Sequence, residues 1–389
     1  MPGAASKVGS SFAVLVASVC LAGSVYGDIA PFVWKQTTSS PHTAVPDLRL
    51  APLFAVCGTA DTALNEVAAR ATSRQIEGTP LPAAEELAYN LRAAGDPHVW
   101  PRAWSIAGQA LDEEDVVRRL KAWSTGWTTI GSRRCGVARM TAPDGTVFIT
   151  AVAVDALADM SPLPVTARVG QWLTLDATML VPTSNAKVIL LGPRGAPKTI
   201  LTGLTNRRVY ATFSVDQPGP WLVQVLPTVS TGPRPVLEAI VFAGVSPPPR
   251  FVATSAPGEA AAQGARDSDD AMMRMINAAR ISEELRPLRR DAVLDQLAKA
   301  HSEEMLKARM VGHDIGGGDP SVRLKAAGIR FRVAGENCAS ASSTENAHRA
   351  LWASPSHRGN LLLDQFTRVG VAVVKGPDGM VWVTELFGG

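Results

Sequence analysis

Two histidines and a glutamate in the last third of this 389-residue chain have the types and spacing to form one site. Gly335-Glu336-Asn337 lies between Gly312-His313-Asp314, a short helix earlier, and Trp352-Ala-Ser-Pro-Ser-His357-Arg358-Gly-Asn360-Leu-Leu, a short helix later. Neutral imidazole is a common ligand of divalent zinc, and a nearby carboxylate can orient the ring or accept a proton. His313 and His357 are therefore candidate ligands for zinc or another divalent metal, with Glu336 beside them. Two histidines make an incomplete zinc site, because structural sites use four protein ligands and catalytic ones usually three. Two other readings stay open: a purely structural hydrogen-bonded cluster, and metal-assisted hydrolysis with Glu336 as general base, which needs a water within hydrogen-bond reach of the carboxylate. Ser354 or Ser356 is a weaker nucleophile candidate, since the segment has neither a strained nucleophile turn nor an evident third member.

The elements that must position these groups can be read from caps and periodicity. Asp291 caps a helix from Ala292 to Ala308 whose apolar face carries Leu294, Leu297, Ala298 and Met305. Another helix covers Ala271 to Glu284, Asp319-Pro320 starts a third, closed by Gly328, and Ser342 with Glu345 forms a capping box for a fourth through Trp352, stopped by Pro355. This puts His313 and His357 in loops, where side chains can turn into a cleft. His301 lies beside an apolar helix face and reads as a core or edge histidine; His348 reads as a surface residue. Arg368 to Lys375, Pro377-Asp-Gly379 and Met380 to Phe387 read as a closing hairpin.

Upstream, the chain predicts two further folded units. Residues 53–158 show an α/β pattern, with helices expected over Thr62–Ser73, Ala83–Ala94 and Leu111–Trp123, then strands over Arg134–Met140 and Thr146–Val154. Residues 161–245 lose helical periodicity and give short β-rich runs separated by Pro and Gly, the pattern of an immunoglobulin-like β-sandwich that serves as a spacer or adhesion module. Residues 246–267, opening Ser246-Pro-Pro-Pro249, read as a linker, stiff and then flexible. The last unit spans 268–389.

Residues 1–27 read as a signal peptide: Lys7, then an apolar run from Phe12 to Gly23, with cleavage near Gly23 or Gly27. Val19 is a poor predecessor for a lipidated Cys20. Of the remaining cysteines, Cys57 and Cys135 can pair in an oxidising compartment, and Cys338 reads as a buried small hydrophobe. The hydrophobic fraction of 46% and charged fraction of 19% are those of folded domains, and a net charge of +3 without a dense Lys/Arg block argues against nucleic acid. No later stretch is long enough to span a membrane.

The first and last units also share an order of residues. Leu91-Arg-Ala-Ala-Gly95 matches Leu324-Lys-Ala-Ala-Gly328, Trp123 matches Trp352, Cys135-Gly-Val137 matches Val369-Gly-Val371, and Pro143-Asp-Gly145 matches Pro377-Asp-Gly379. A gap of about five residues falls where the last unit has Ser-Pro-Ser-His-Arg-Gly-Asn. The expectation is a duplicated domain whose first copy lost its site.

From residue 268 onward, the Gly-His-Asp, Gly-Glu-Asn-Cys-Ala and Trp-Ala-Ser-Pro-Ser-His-Arg-Gly-Asn-Leu-Leu motifs resemble the bacterial branch of the CAP superfamily. So do Gly370-Val-Ala and the ending Trp382-Val-Thr-Glu-Leu-Phe-Gly388. That superfamily comprises the cysteine-rich secretory, antigen 5 and pathogenesis-related (SCP-like) proteins. The resemblance implies an α-β-α sandwich whose cleft is lined by His313, Glu336 and His357, with Asn337 and Asn360 alongside. Pro355 stands where many eukaryotic members carry a second glutamate, and Glu385 is a candidate substitute. The whole is then an exported multidomain protein, placed in periplasm, cell envelope or medium. It binds a lipid or cell-envelope ligand rather than catalysing a reaction, the alternative being a metal-assisted hydrolase. The sequence assigns no oligomeric state.

Overall fold

The computed structural model describes residues 31–38 and 48–389; the expected signal peptide and Cys20 lie outside these residues. The first unit runs α1 (Ala51–Cys57), β1 (Thr59–Ala60), α2 (Thr62–Ile76), α3 (Ala84–Ala93), β2 (Arg102–Gly108), α4 (Glu113–Thr125), β3 (Ser132–Thr141) and β4 (Val147–Ala156). Asp61 caps α2 through the Ala63 and Leu64 amides, and Asp112 caps α4 through Glu114. The sheet order is β1-β3-β4-β2, with helices burying apolar residues against it. Cys57 and Cys135 form a disulfide with Cα atoms 5.9 Å apart.

The middle unit contains β5 (Ala158–Met160), β6 (Thr166–Ala167), β7 (Gln171–Met179), β8 (Asn185–Leu191), β9 (Lys198–Ile200), β10 (Thr202–Thr205), β11 (Arg208–Val215), β12 (Gly219–Val229), β13 (Gly232–Pro233) and β14 (Leu237–Ala243). They form two sheets, β10-β11-β7-β5 and β6-β14-β12-β8-β9, with β13 paired to β12. Strict alternation in β7 and β11 turns Leu173, Leu175, Val209 and Phe213 inward, and they join Trp221, Val223 and Val225 of the other sheet in one core.

The last unit runs α5 (Ser268–Ser282), β15 (Arg289–Arg290), α6 (Ala292–Ala308), α7 (Pro320–Ala326), β16 (Ala334–Ala341), α8 (Thr344–Ala353), α9 (Pro355–Leu361), β17 (Arg368–Lys375) and β18 (Val381–Gly388). Its sheet order, β15-β17-β18-β16, repeats that of the first unit in strand direction as well as order. The likeness reaches single atoms. The Val137 amide donates to Asn65 Oδ1 at 2.9 Å, and the Val371 amide to Asp295 Oδ1 at 2.8 Å. Gly136 and Gly370 each lie where a Cβ would fall 1.9 Å and 2.1 Å from the backbone of the helix above, so each lets a helix sit directly on the sheet.

Four sequence expectations need correction. Pro355 ends no loop approach: it occupies the first turn of α9, where its missing N–H costs nothing, so His357 is helical. The cap of α8 is Ser343, which accepts from the Asn346 amide, while Ser342 binds the Asn346 side chain. His348 is buried on the inward stripe of α8, with Nε2 2.9 Å from the Pro257 carbonyl. The Pro-rich segment is held at two places: the Pro248 carbonyl accepts from Trp34 Nε1 and the Tyr89 hydroxyl, and Glu259 pairs with Arg349.

Candidate functional site

β16 carries the centre of the site. Its pairing with β18 places Glu336 opposite Leu386 and Asn337 opposite Glu385. Glu336 is buried, and its carboxylate is engaged on both oxygens. Arg323 Nη2 donates to Oε2 at 2.8 Å and to Oε1 at 3.0 Å, His313 Nδ1 lies 2.8 Å from Oε1, and the Cys338 thiol donates to Oε1 across 3.4 Å. Burial pushes Glu336 up, but the His313 hydrogen bond and the electrostatics of His313, Arg323 and His301 outweigh it and hold the carboxyl below its ordinary range.

Asn337 and Asn360 form the second part. Asn337 Nδ2 donates to the His357 carbonyl at 3.2 Å and to Glu385 Oε2 at 2.9 Å, while Asn360 Nδ2 donates to the Glu336 carbonyl and to Asn337 Oδ1. These bonds tie α9, and with it His357, to the strand bearing Glu336. Desolvation and the nearby His313 lower His357 to about 3, so its ring is neutral throughout the physiological range. Glu385 is fully buried, and desolvation raises it to about 7, with Oε1 unpartnered.

His313, Glu336, Asn337, Asn360 and Glu385 are thus joined in one hydrogen-bonded network that reaches the backbone of His357. Two residues of this cluster were missed in the sequence. His301 sits on α6 with Nε2 2.8 Å from the Gly312 carbonyl and 3.8 Å from Glu336 Oε1. Its spacing of seven from Leu294 and four from Met305 put it on the buried stripe, which was the available signal. Arg323, buried on α7, had no local signal beyond its place in a capped helix.

His301, Glu336 and Cys338 bring ligand-type atoms within 4.8 Å of one another, but their chemistry does not suit a cation. His301 Nε2 faces a carbonyl, which only accepts, so that nitrogen donates and offers no lone pair. Burial and the Glu336 charge push the Cys338 thiol well above its usual range, against the thiolate a metal needs. His313 and His357 fit better: Nδ1 of His313 is fixed by a carboxylate, as in metal-bound histidines, and His357 is held neutral.

By register, the first unit has Ala71, Ala103 and Ala151 at the positions of His301, Glu336 and Glu385. Its own buried polar pair lies elsewhere: His98 Nδ1 is 2.7 Å from Asp96 Oδ1, and Nε2 is 3.1 Å from the Ala158 carbonyl.

Residues 273–387 match the family described as the cysteine-rich secretory protein family (CAP). The protein described as uncharacterized protein YkwD of Bacillus subtilis (strain 168) is 32% identical over 137 residues, 35% of this chain and 51% of the relative, so the chain spans about half the length of that relative. An outer surface protein of Borrelia burgdorferi aligns over 32% of this chain and 92% of its own at 24% identity, with a TM-score of 0.30. An extracellular protein containing an SCP domain from Bacillus anthracis str. Ames aligns over 59% and 87% at 18% identity, with a TM-score of 0.30.

Proposed function

We propose, on the premise that residues 273–387 carry a domain of the cysteine-rich secretory protein (CAP) family, that the protein is an exported, non-enzymatic binding protein. Its cleft presents His313 and His357 to a divalent ion and engages a lipid or cell-envelope ligand. The observation that carries this reading is the engagement of Glu336, whose two oxygens are taken by Arg323, His313 and Cys338. A carboxylate so occupied and held below its ordinary range is a poor proton acceptor. That speaks against hydrolysis with Glu336 as general base and for an orienting role toward His313. A zinc ion held by His313 and His357 would supply positive charge and open coordination positions for an anionic group of a ligand.

The architecture supports the rest of the reading. The middle unit, with two sheets on one core, suits the immunoglobulin-like sandwich expected for 161–245. The repeated strand order and the alanines at the site positions support a duplicated first unit that lost its site. The apolar segment within residues 1–27 supports export, with no helix among the described residues long and apolar enough to cross a membrane.

Zinc titration of the mature protein beside the His313→Ala/His357→Ala variant tests the metal, with folding checked by circular dichroism. Binding in the parent that is lost in the variant is the expected result. Turnover of any envelope substrate that Glu336→Ala abolishes in a folded protein would overturn the non-enzymatic reading.

A further inference from the structure

The cleft does not belong to the last unit alone. The Thr231 carbonyl, at the turn between β12 and β13, accepts from the His313 amide at 3.0 Å and the Asp314 amide at 3.2 Å. Gly232 follows with a positive φ of 94°, and a Cβ there would stand 3.0 Å from the His313 Cβ. The segment bearing His313 is therefore laid directly on the hairpin of the middle unit.

The segment bearing His357 is held from the same strand. Gln224 of β12 is fully buried although it points away from the core face that carries Val223 and Val225. Its Oε1 accepts from the Ser356 amide at 3.0 Å, and its Nε2 donates to Ser354 Oγ at 3.0 Å and to Glu238 Oε1 at 2.7 Å. Glu238 is in turn 3.0 Å from Arg92 of α3, so a polar chain, half-buried at Arg92 and Glu238, runs from the first unit through the middle one into the first turn of α9. A buried amide with all these bonds filled fixes the groups it touches, because breaking any one leaves an unsatisfied partner.

We infer that the middle unit is a working part of the cleft, with Gln224 and the Thr231-Gly232 turn acting as positioning residues for the two histidine-bearing segments. The inference rests on the reading of His313 and His357 as the ligand-facing pair. It assigns to the β-sheet unit a role that a spacer would not have: the cleft is complete only when 161–245 is docked on the last unit.

The test uses the full chain with Gln224→Met, which keeps the length of the side chain and removes its hydrogen bonds, and Gly232→Ala, which loads the His313 contact. Trp172→Ala, on the exposed face of the other sheet, is the control. Two readouts are taken on each protein: the affinity and visible absorption spectrum of bound Co²⁺ as a probe of the histidine pair, and amide exchange over 312–316 and 355–361. Gln224→Met is expected to weaken Co²⁺ roughly tenfold, the worth of about one hydrogen bond. Its spectrum should change, and exchange over 355–361 should quicken by a similar factor, while Trp172→Ala matches the parent. Gly232→Ala should act on 312–316 alone. Parent-like exchange over 355–361 in a folded Gln224→Met protein overturns the inference, as does parent-like Co²⁺ binding. If the parent itself binds no Co²⁺, the metal reading fails and the exchange data still decide the positioning role.

Discussion

Removing the arginine that neutralises Glu336 is the sharpest test of the site's energetics. Arg323 and Glu336 are both buried, and the Arg323 Nη2 hydrogen bonds at 2.8 and 3.0 Å join those of His313 in compensating a carboxylate placed inside the protein. Breaking one side of a buried pair costs about 3–5 kcal/mol, since the remaining charge is uncompensated. His313 and the Cys338 thiol still face Glu336 in Arg323→Leu, so the lower end of that range applies, about 3 kcal/mol. For a unit of this size that corresponds to a fall in Tm of roughly 10 °C.

The sign with pH follows from the lowered carboxyl. Glu336 contributes stability above the ordinary carboxylate range and loses it as pH falls through its depressed folded value. Arg323→Leu removes part of that contribution, so its deficit against the parent should narrow as pH drops below about 4. Thermal melts of parent, Arg323→Leu and Arg323→Leu/Glu336→Leu at pH 7 and pH 3.5 are the assay. The double variant should be more stable than Arg323→Leu alone at pH 7. A loss under about 1 kcal/mol in the single variant, or a double variant no better than the single, would refute the reasoning.

Glu385→Gln should stabilise the protein at pH 8 by roughly 3 kcal/mol and little at pH 4. The reason is that burial raises Glu385 to about 7, so the penalty for its charge accrues between the unfolded carboxyl value and neutrality. Urea midpoints at the two pH values check this. In the first unit, burial lowers His98 but Asp96 more than offsets it and raises the imidazole, while Asp96 is lowered. The His98 contribution is full below the unfolded histidine value and lost as pH rises through the raised folded one, so parent stability should decline on the alkaline side and His98→Gln should flatten that slope in urea titrations from pH 6 to 9. Gly136→Ala and Gly370→Ala should each destabilise by about 3 kcal/mol or more, because each methyl meets helix backbone rather than a yielding side chain; calorimetric loss in one unit but not the other would break the correspondence between them.

Helices with caps and periodic apolar residues were legible in the sequence. Asp291 and the Leu294/Ala298/Met305 stripe gave α6 its limits. The strands β2 and β16 were not, since Ala103 and Glu336 occupy matching places on sheets packed from both sides and neither strand shows clean alternation. Burial of His348 was missed for a related reason: the wall that covers it is the carbonyl of Pro257, ninety-one positions away.

The sequence by itself singled out His313, Glu336, His357, Asn337 and Asn360 as candidates, because residue type, local caps and motif order are properties of neighbouring positions. It also displayed the shared order of residues in the two α/β units, for the same reason. Only the tertiary structure decided what state those residues are in. Arg323 and His301 reach Glu336 across 13 and 35 positions of chain, and burial among them lowers one carboxyl and raises another. It alone decided that Gln224, from a different unit, holds the start of the His357 helix. Desolvation and charge coupling depend on distance in space, and local sequence patterns do not encode that distance.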